Sequence, residues 1–394
     1  MAEHDDTRTG ARIAAHRKRA GLTQRGLAAR IPYSYSMLRH VEAGHKKASP
    51  QLVAAVARVL GIPHTALTRP TTPPLQPDRV AALVRPIREA LDIYDLPTDP
   101  FLPATPAPDL TSAADGLCRD VRAARLQQAA VAVPSLLTEL IVVCRERPTP
   151  AAWRALAVTC RSAHDIATKL GFPDLAAIAL DRMGWAAEHA SDPALAAIRQ
   201  YRRALAYRHR EAAHGIALAM IEEGQRVLAQ ASAGLERDAV TGQLYLGSAV
   251  IASRAGDAAR VEDHLGQAAE IAARTGEAPR VHWLSFGPTN VGVHETFLRL
   301  ELRQFDAAYR AARAVQPPRG WATSRRAAHL VERARAEMET GRTDAALTSL
   351  AEARRLAPQQ TRFHPRVRET VRGLLHLRRQ SPDALSRMAT WVGI

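Results

Sequence analysis

The densest grouping of chemically capable side chains in this sequence is cationic. Twelve lysines and arginines, among them Arg17, Lys18, Arg39, Lys46 and Lys47, fall in the first 70 residues against Glu3, Asp5, Asp6 and Glu42. That places +8 of the net +15 on less than a fifth of the 394 residues, and three of the four lysines lie there. Positive charge at this density attracts polyanions, and it assigns attraction to phosphate to the N-terminal end. Catalytic groupings are missing by comparison. His294-Glu295 lacks the second histidine one helical turn on that a zinc peptidase needs, and neither a Gly-x-x-x-x-Gly-Lys phosphate loop nor a Gly-x-Ser-x-Gly elbow occurs. His209 and His214 are five residues apart, a poor spacing for one helix face, so they make a weak metal pair. Cys118, Cys144 and Cys160 are odd in number and contain no Cys-x-x-Cys, which argues against a disulfide framework or a zinc knuckle and fits a reducing cytoplasm. The expectation is a protein without enzymatic activity, metal or cofactor.

These groups need elements to position them. The chain is long enough for two or three domains, and 46% apolar residues suffice for packed cores. The opening MAEHDDTRTG has no apolar leader and no run of 18 apolar residues follows, so neither secretion nor membrane spanning is expected. Two proline-dense stretches, Pro70 to Pro77 and Pro97 to Pro108, read as extended connectors. Between them Val80, Leu83, Val84, Ile87 and Leu91 recur at helical spacing, which predicts a linker helix with an apolar stripe that Pro86 kinks or begins. From about residue 110 onward, Ala/Leu/Arg-rich helical segments are punctuated by Gly or Pro without strand alternation, so the chain is expected to be all-α. The expected division is 1–69, a 70–109 linker, and 110–394.

The N-terminal segment carries an ordered set of stop and start signals. A helix from Arg12 stops at Gly21; Thr23 caps a second helix, Gln24 to Arg30; and Ile31-Pro32-Tyr33 makes a turn. Ser34 caps a third helix, Tyr35 to Ala43, closed by Gly44, and Ser49-Pro50 opens a fourth, with Ile62 to Leu67 as a fifth. Ile13, Leu27, Ala28, Leu38, Val41, Leu52, Val56 and Leu60 are spaced to share one small core.

Gly21-Leu22-Thr23-Gln24, Leu27-Ala28, Val41-Glu42-x-Gly44 and Ser49-Pro50 together resemble the Cro/phage-repressor (XRE-like) helix-turn-helix family over residues 10 to 68. The resemblance implies a five-helix lambda-repressor-like domain that binds double-stranded DNA, with Gln24 starting the helix that crosses the phosphate backbone and Tyr35 to Glu42 as the recognition helix. Tyr35, Ser36 and Arg39 avoid the Leu38/Val41 core stripe and are the candidates for reading bases, Arg39 by clamping guanine. Gln24, Ser34, Lys46 and Lys47 lie at helix starts or in the following loop and are the phosphate-binding candidates. Ser34 could serve only as a cap, and Tyr35 could pack on the turn. The family implies that Glu42 pairs with Arg17 as a structural ion pair rather than touching DNA. Two positions depart from the family pattern: His16, where an aliphatic core residue is usual, and Pro32, in place of the turn glycine.

Ala334, Gly341, Ala346, Leu350, Ala353 and Pro358 have the spacing of a tetratricopeptide repeat, and Ala249, Gly256-Asp257, Leu265 and Ala268 fall in the same register. A less complete unit surrounds Phe305 and Ala308, and further helix pairs begin near Thr149 and Asp192. The segment resembles tetratricopeptide-like α-solenoids of five or six hairpins. The combination is similar to repeat-containing bacterial regulators whose solenoids dimerise and, in some branches, bind peptides. It implies a homodimeric transcriptional regulator in the cytoplasm with a small-molecule or peptide effector. The alternative is a scaffold whose solenoid docks a protein and whose helix-turn-helix is a tether. Pro279 to Asn290 interrupts the helical rhythm, and Trp283, Phe286, Asn290 and His294 are the effector-binding candidates. An inter-repeat loop anchored by buried aromatics explains the same residues, and Trp185, Tyr201 and Tyr207 read as packing residues.

Overall fold

The computed structural model describes residues 3–62, 67, 77–96, 107–207, 211–377 and 383–394. Most of the two proline-dense stretches, His209, and residues 63–66 of the fifth short helix lie outside the described residues. The chain divides into two compact units, 1–77 and 78–392. Among the described residues all regular structure is helical apart from one isolated bridge between Ala278 and Phe286.

In the N-terminal unit, α1 (Glu3–Arg19) starts well before Arg12, and α2 (Gln24–Ala28), α3 (Tyr35–Glu42) and α4 (Pro50–Leu60) follow as the signals predict. Thr23 accepts from the Gly26 amide, Ser34 from Met37 and Ser49 from Leu52, each satisfying an amide that the first helical turn leaves without a partner. Ile13, Leu27, Ala28, Leu38, Val41, Leu52 and Val56 are buried in one cluster, with Leu60 half-buried at its edge. His16 is half-buried rather than a core residue, because Ile13 and Arg17 occupy the enclosed stripe of α1.

The second unit opens with α5 (Pro77–Asp92), which runs through Pro86 instead of starting there. It belongs to the helical unit and is not a linker. Val80, Val84, Ile87 and Leu91 are buried, and Arg88 pairs with Asp174 at 2.6 Å. Just beyond α5, the Arg182 guanidinium lies 3.5 Å from the centre of the Tyr94 ring, which meets Trp185 edge-on. Next come α6 (Ala107–Arg122) and α7 (Leu126–Glu146). By length and hydropathy α7 could cross a membrane, yet most of it is enclosed between its neighbours, where Leu126, Val133, Leu137 and Leu140 are buried.

Five antiparallel hairpins follow. They pair α8 (Pro150–Leu170) with α9 (Pro173–His189), α10 (Pro193–Tyr207) with α11 (His214–Leu228), and α12 (Leu235–Arg254) with α13 (Ala258–Thr275). The last two pair α14 (Pro288–Glu301) with α15 (Phe305–Ala314) and α16 (Thr323–Glu339) with α17 (Thr343–Leu356). Their small residues are where backbones approach: Ala249, Ala268, Ala308, Ala334, Ala346 and Ala353 are all fully enclosed. Caps and turns fall at the expected places, with Thr149 and Asp192 accepting helix-start amides. Gly341 turns the last hairpin in the left-handed conformation that a glycine takes without steric cost. The unit ends with α18 (Pro358–Phe363), α19 (Pro365–Leu377) and α20 (Asp383–Val392). The series winds back on itself, so that α16 touches α6 and α18 touches α8.

Candidate nucleic-acid interface

The N-terminal unit is built around one buried ion pair. Arg17 on α1 meets Glu42 at the end of α3 through two parallel bonds, Nε to Oε1 and Nη2 to Oε2, both 2.8 Å, with the side chains 8% and 3% exposed. The remaining guanidinium nitrogen donates to the Leu22 carbonyl at 2.7 Å. The hydrogen bond to Glu42 raises the Arg17 pKa despite burial. Such fork geometry fixes orientation as well as supplying energy. Gln24 joins it by donating from Nε2 to Glu42 Oε2 at 2.8 Å. Three residues from α1, α2 and α3 are thereby locked together. The amide of Gln24 keeps a second hydrogen, and Gln24 stands in the first turn of α2, where helix amides point outward.

The lock is reinforced by a close helix approach. A Cβ added at Gly10 of α1 would fall 1.8 Å from the Val41 carbonyl oxygen, so only a glycine lets α1 lie this near the end of α3. Between α2 and α3, the Tyr33 amide donates to the Ile31 carbonyl at 2.8 Å across Pro32. This is a three-residue turn that the fixed φ of proline suits, and it replaces the glycine turn of the family pattern.

With its rear face held, α3 presents the other. Tyr35 is 38% exposed, and Ser36 and Arg39 are exposed, while Leu38 and Val41 point into the core. The Arg25 guanidinium lies 5.5 Å from the centre of the Tyr35 ring, which orients the ring without covering it. Sequence reasoning passed over Arg25; its place in the first turn of α2, one residue after Gln24, was the available signal. Ser34 is exposed and spends its oxygen on the Met37 amide, leaving its hydroxyl hydrogen to donate elsewhere. After α3, the His40 carbonyl accepts from the His45 and Lys46 amides at 2.8 and 3.2 Å, and this short loop carries the exposed Lys46 and Lys47. The exposed candidates Tyr35, Ser36 and Arg39 thus stand on α3, and the exposed Lys46 and Lys47 on the loop directly after it.

Residues 8–69 match the family model described as a helix-turn-helix domain. The N-terminal unit is a helix-turn-helix domain. No curated protein sequence matches the chain. Among solved structures, the crystal structure of Bacillus thuringiensis PlcR in complex with the peptide PapR7 and DNA aligns at 13% identity with a TM-score of 0.30. The alignment covers 77% of this chain and 92% of that one.

The candidates in the helical unit separate. The connector from α13 to α14 holds His282, Trp283 and Ser285 in left-handed backbone at φ of 42, 52 and 59°, a conformation costly for residues with a Cβ. It is tied down by Arg161, whose Nη1 donates to the His282 carbonyl at 2.6 Å, and by the Trp283 indole, which reaches Asp115 on α6 at 3.5 Å. Phe286 is fully buried against Gly242, where an added Cβ would lie 2.0 Å from the ring, so Phe286 is a packing residue with no surface for a ligand. Asn290 and His294 belong to a buried polar chain. Asn290 accepts from Arg325 and donates to Gln243 at 3.2 Å, and Gln243 donates to the Tyr201 hydroxyl at 2.8 Å. His294 sits 2.8 Å from the Asn290 carbonyl, and burial followed by repulsion from Arg325 pushes its pKa down to about 3, so the ring is neutral.

Proposed function

We propose that the protein is a cytoplasmic, sequence-specific DNA-binding transcriptional regulator, acting as a homodimer controlled by an effector held in the helical unit. The reading rests on one observation. The face of α3 bearing Tyr35, Ser36 and Arg39 is exposed and fixed from behind by the Arg17–Glu42–Gln24 lock, inside a unit that matches the helix-turn-helix family. In this reading α3 enters the major groove, with Arg39 on a guanine edge and Tyr35 and Ser36 beside it. Gln24, Ser34, Lys46 and Lys47 hold phosphates and set the register. Two copies bind half-sites of a near-palindrome. An effector changes DNA affinity only by binding one arrangement of the two units better than another.

The test is titration of the full chain onto a duplex from its own promoter and onto random duplex, across a range of salt. Affinity should fall steeply with salt on both and remain higher on the promoter. Arg39→Ala should cost about 1–3 kcal/mol on the promoter and little on random DNA, whereas Lys46→Ala should weaken both alike and reduce the salt slope by about one. Equal affinity for the two duplexes, or an Arg39→Ala variant that binds as the parent does, contradicts the proposal.

A further inference from the structure

The interior of the helical unit gathers more positive charge than it neutralises. Asp165 on α8 is 3.3 Å from Arg202 of α10 and 3.5 Å from Arg122 of α6, and its side chain is 4% exposed. Lys169, one turn further along α8, and Arg325 of α16 feel the same carboxylate. Four cations from four helices therefore converge on one anion. The other large ionic cluster in this unit is better balanced: Glu301 takes Arg254, Arg335 and Arg366, each at 2.7 Å, and Glu332 adds a second carboxylate beside Arg366.

Around Asp165 the excess shows in the individual groups. The half-buried Lys169, the only lysine outside the N-terminal unit, makes no hydrogen bond or ion pair within 4 Å among the described residues. The Nε atoms of Arg202 and Arg325 are buried without a hydrogen-bond partner. Burial, partly offset by Asp165, pushes the Lys169 pKa down to about 8 and that of Arg122 down to about 10. Burial pushes Asp165 up, yet Arg202, Lys169 and Arg122 together hold it far below the ordinary carboxylate range. Buried cations without counter-charge are costly, and a fold retains them where an anion completes them.

Arg202 also lines a cavity of about 640 Å³ between α8, α9 and α10, a size that suits a small organic ligand. Its walls include Ala176, Ala177, Leu180 and Leu205, and Arg199 and Arg203 stand beside Arg202, with the Asp181 carboxylate 3.5 Å from Arg199 taking up part of that guanidinium's charge. Apolar wall and cationic end belong to one space.

We propose that this cavity binds a small amphiphilic anion, with the apolar body against Leu180, Ala177 and Leu205 and the carboxylate or phosphate head on the Arg202 guanidinium, backed by the cations around Asp165. The regulatory consequence rests on the reading of the helical unit as an effector domain, whereas the binding itself does not.

Calorimetry on the full chain tests it with decanoate and decyl phosphate below their aggregation concentrations, which separates the two head groups, and with decanol and inorganic phosphate as the neutral and the body-less controls. At least one of the two amphiphiles should bind ten-fold or more tightly than both controls. Ala177→Trp, at an exposed wall position, should abolish that binding while leaving the fold intact. Lys169→Met lies behind the site and should weaken binding several-fold while leaving the fold intact. Binding of decanol or inorganic phosphate as tight as that of the amphiphiles, binding of neither amphiphile, or full binding by Ala177→Trp overturns the proposal. If an amphiphile binds as described but leaves DNA affinity unchanged, the cavity assignment stands and the effector reading falls.

Discussion

Removing the carboxylate of Glu42 tests the lock that holds α3 and its exposed face. In Glu42→Ala, Arg17 loses both 2.8 Å bonds and keeps only the Leu22 carbonyl, while Gln24 loses its acceptor. The guanidinium then remains enclosed without a counter-charge, a change that costs about 3–5 kcal/mol in buried pairs. A unit of this size has a total stability of roughly 4–10 kcal/mol at 0.05–0.15 kcal/mol per residue. The loss is therefore a large share of what holds the unit folded. Hydrogen exchange on the full chain should show amides of α1 to α4 exchanging about 100-fold faster or more, with α8 to α17 unchanged. The double variant Arg17→Met/Glu42→Leu fills the same space with apolar side chains and should recover most of the protection. If Glu42→Ala leaves exchange in residues 10–62 at the parent rate, the pair is not what fixes α3.

Gly10→Ala should force α1 and α3 apart, because the new Cβ would sit 1.8 Å from the Val41 carbonyl oxygen. A loss of about 1–3 kcal/mol confined to the N-terminal unit, with weakened DNA binding, is expected from urea unfolding, and an unchanged midpoint would contradict it. Burial lowers the pKa values of His164 and His329 to about 4 and that of His294 to about 3, so the folded state refuses protons that the unfolded chain takes up below pH 6.5. Stability is then complete above pH 6.5 and falls as pH drops toward 4, by up to about 1.4 kcal/mol per pH unit for each histidine. Unfolding at pH 7.5 and 5 should differ by several kcal/mol, and equal midpoints would refute the account of these rings. Burial raises the Cys144 and Cys160 thiols to about 12, so neither should react with a thiol reagent until the helical unit unfolds. Labelling of either residue in the folded chain would show that its surroundings open.

Local signals carried the N-terminal unit a long way. Thr23, Ser34, Ser49-Pro50 and the glycines at 21 and 44 act within a turn of their own positions, which is why the boundaries of α2, α3 and α4 were legible. The start of α1 was not, since its opening residues are polar and carry no apolar periodicity. The part of Gly10 was hidden too, because it depends on a backbone brought close from another helix. In the second unit the alanine and glycine spacing located the hairpins, as small residues are required wherever two helices meet closely. The stripe on α5 was visible, but the polar ties of its helix were not, for Arg88 pairs with Asp174 and the Leu91 carbonyl accepts from Arg182, both on α9. The cluster at Asp165 has no linear signature, its members coming from α6, α8, α10 and α16. Interrupted helical rhythm drew attention to Trp283 and Phe286, whereas the unbalanced charge lies deeper, around Asp165.

The central claim is that α3 reads DNA sequence through Arg39. Selection of bound duplexes from a random library, carried out with the full chain and with Arg39→Ala, tests it most directly. The account predicts that the parent enriches a motif of two related half-sites, each with a guanine whose preference disappears in the variant while residual salt-sensitive binding persists. No enriched motif, or the same motif with the same guanine selected by both proteins, would contradict it.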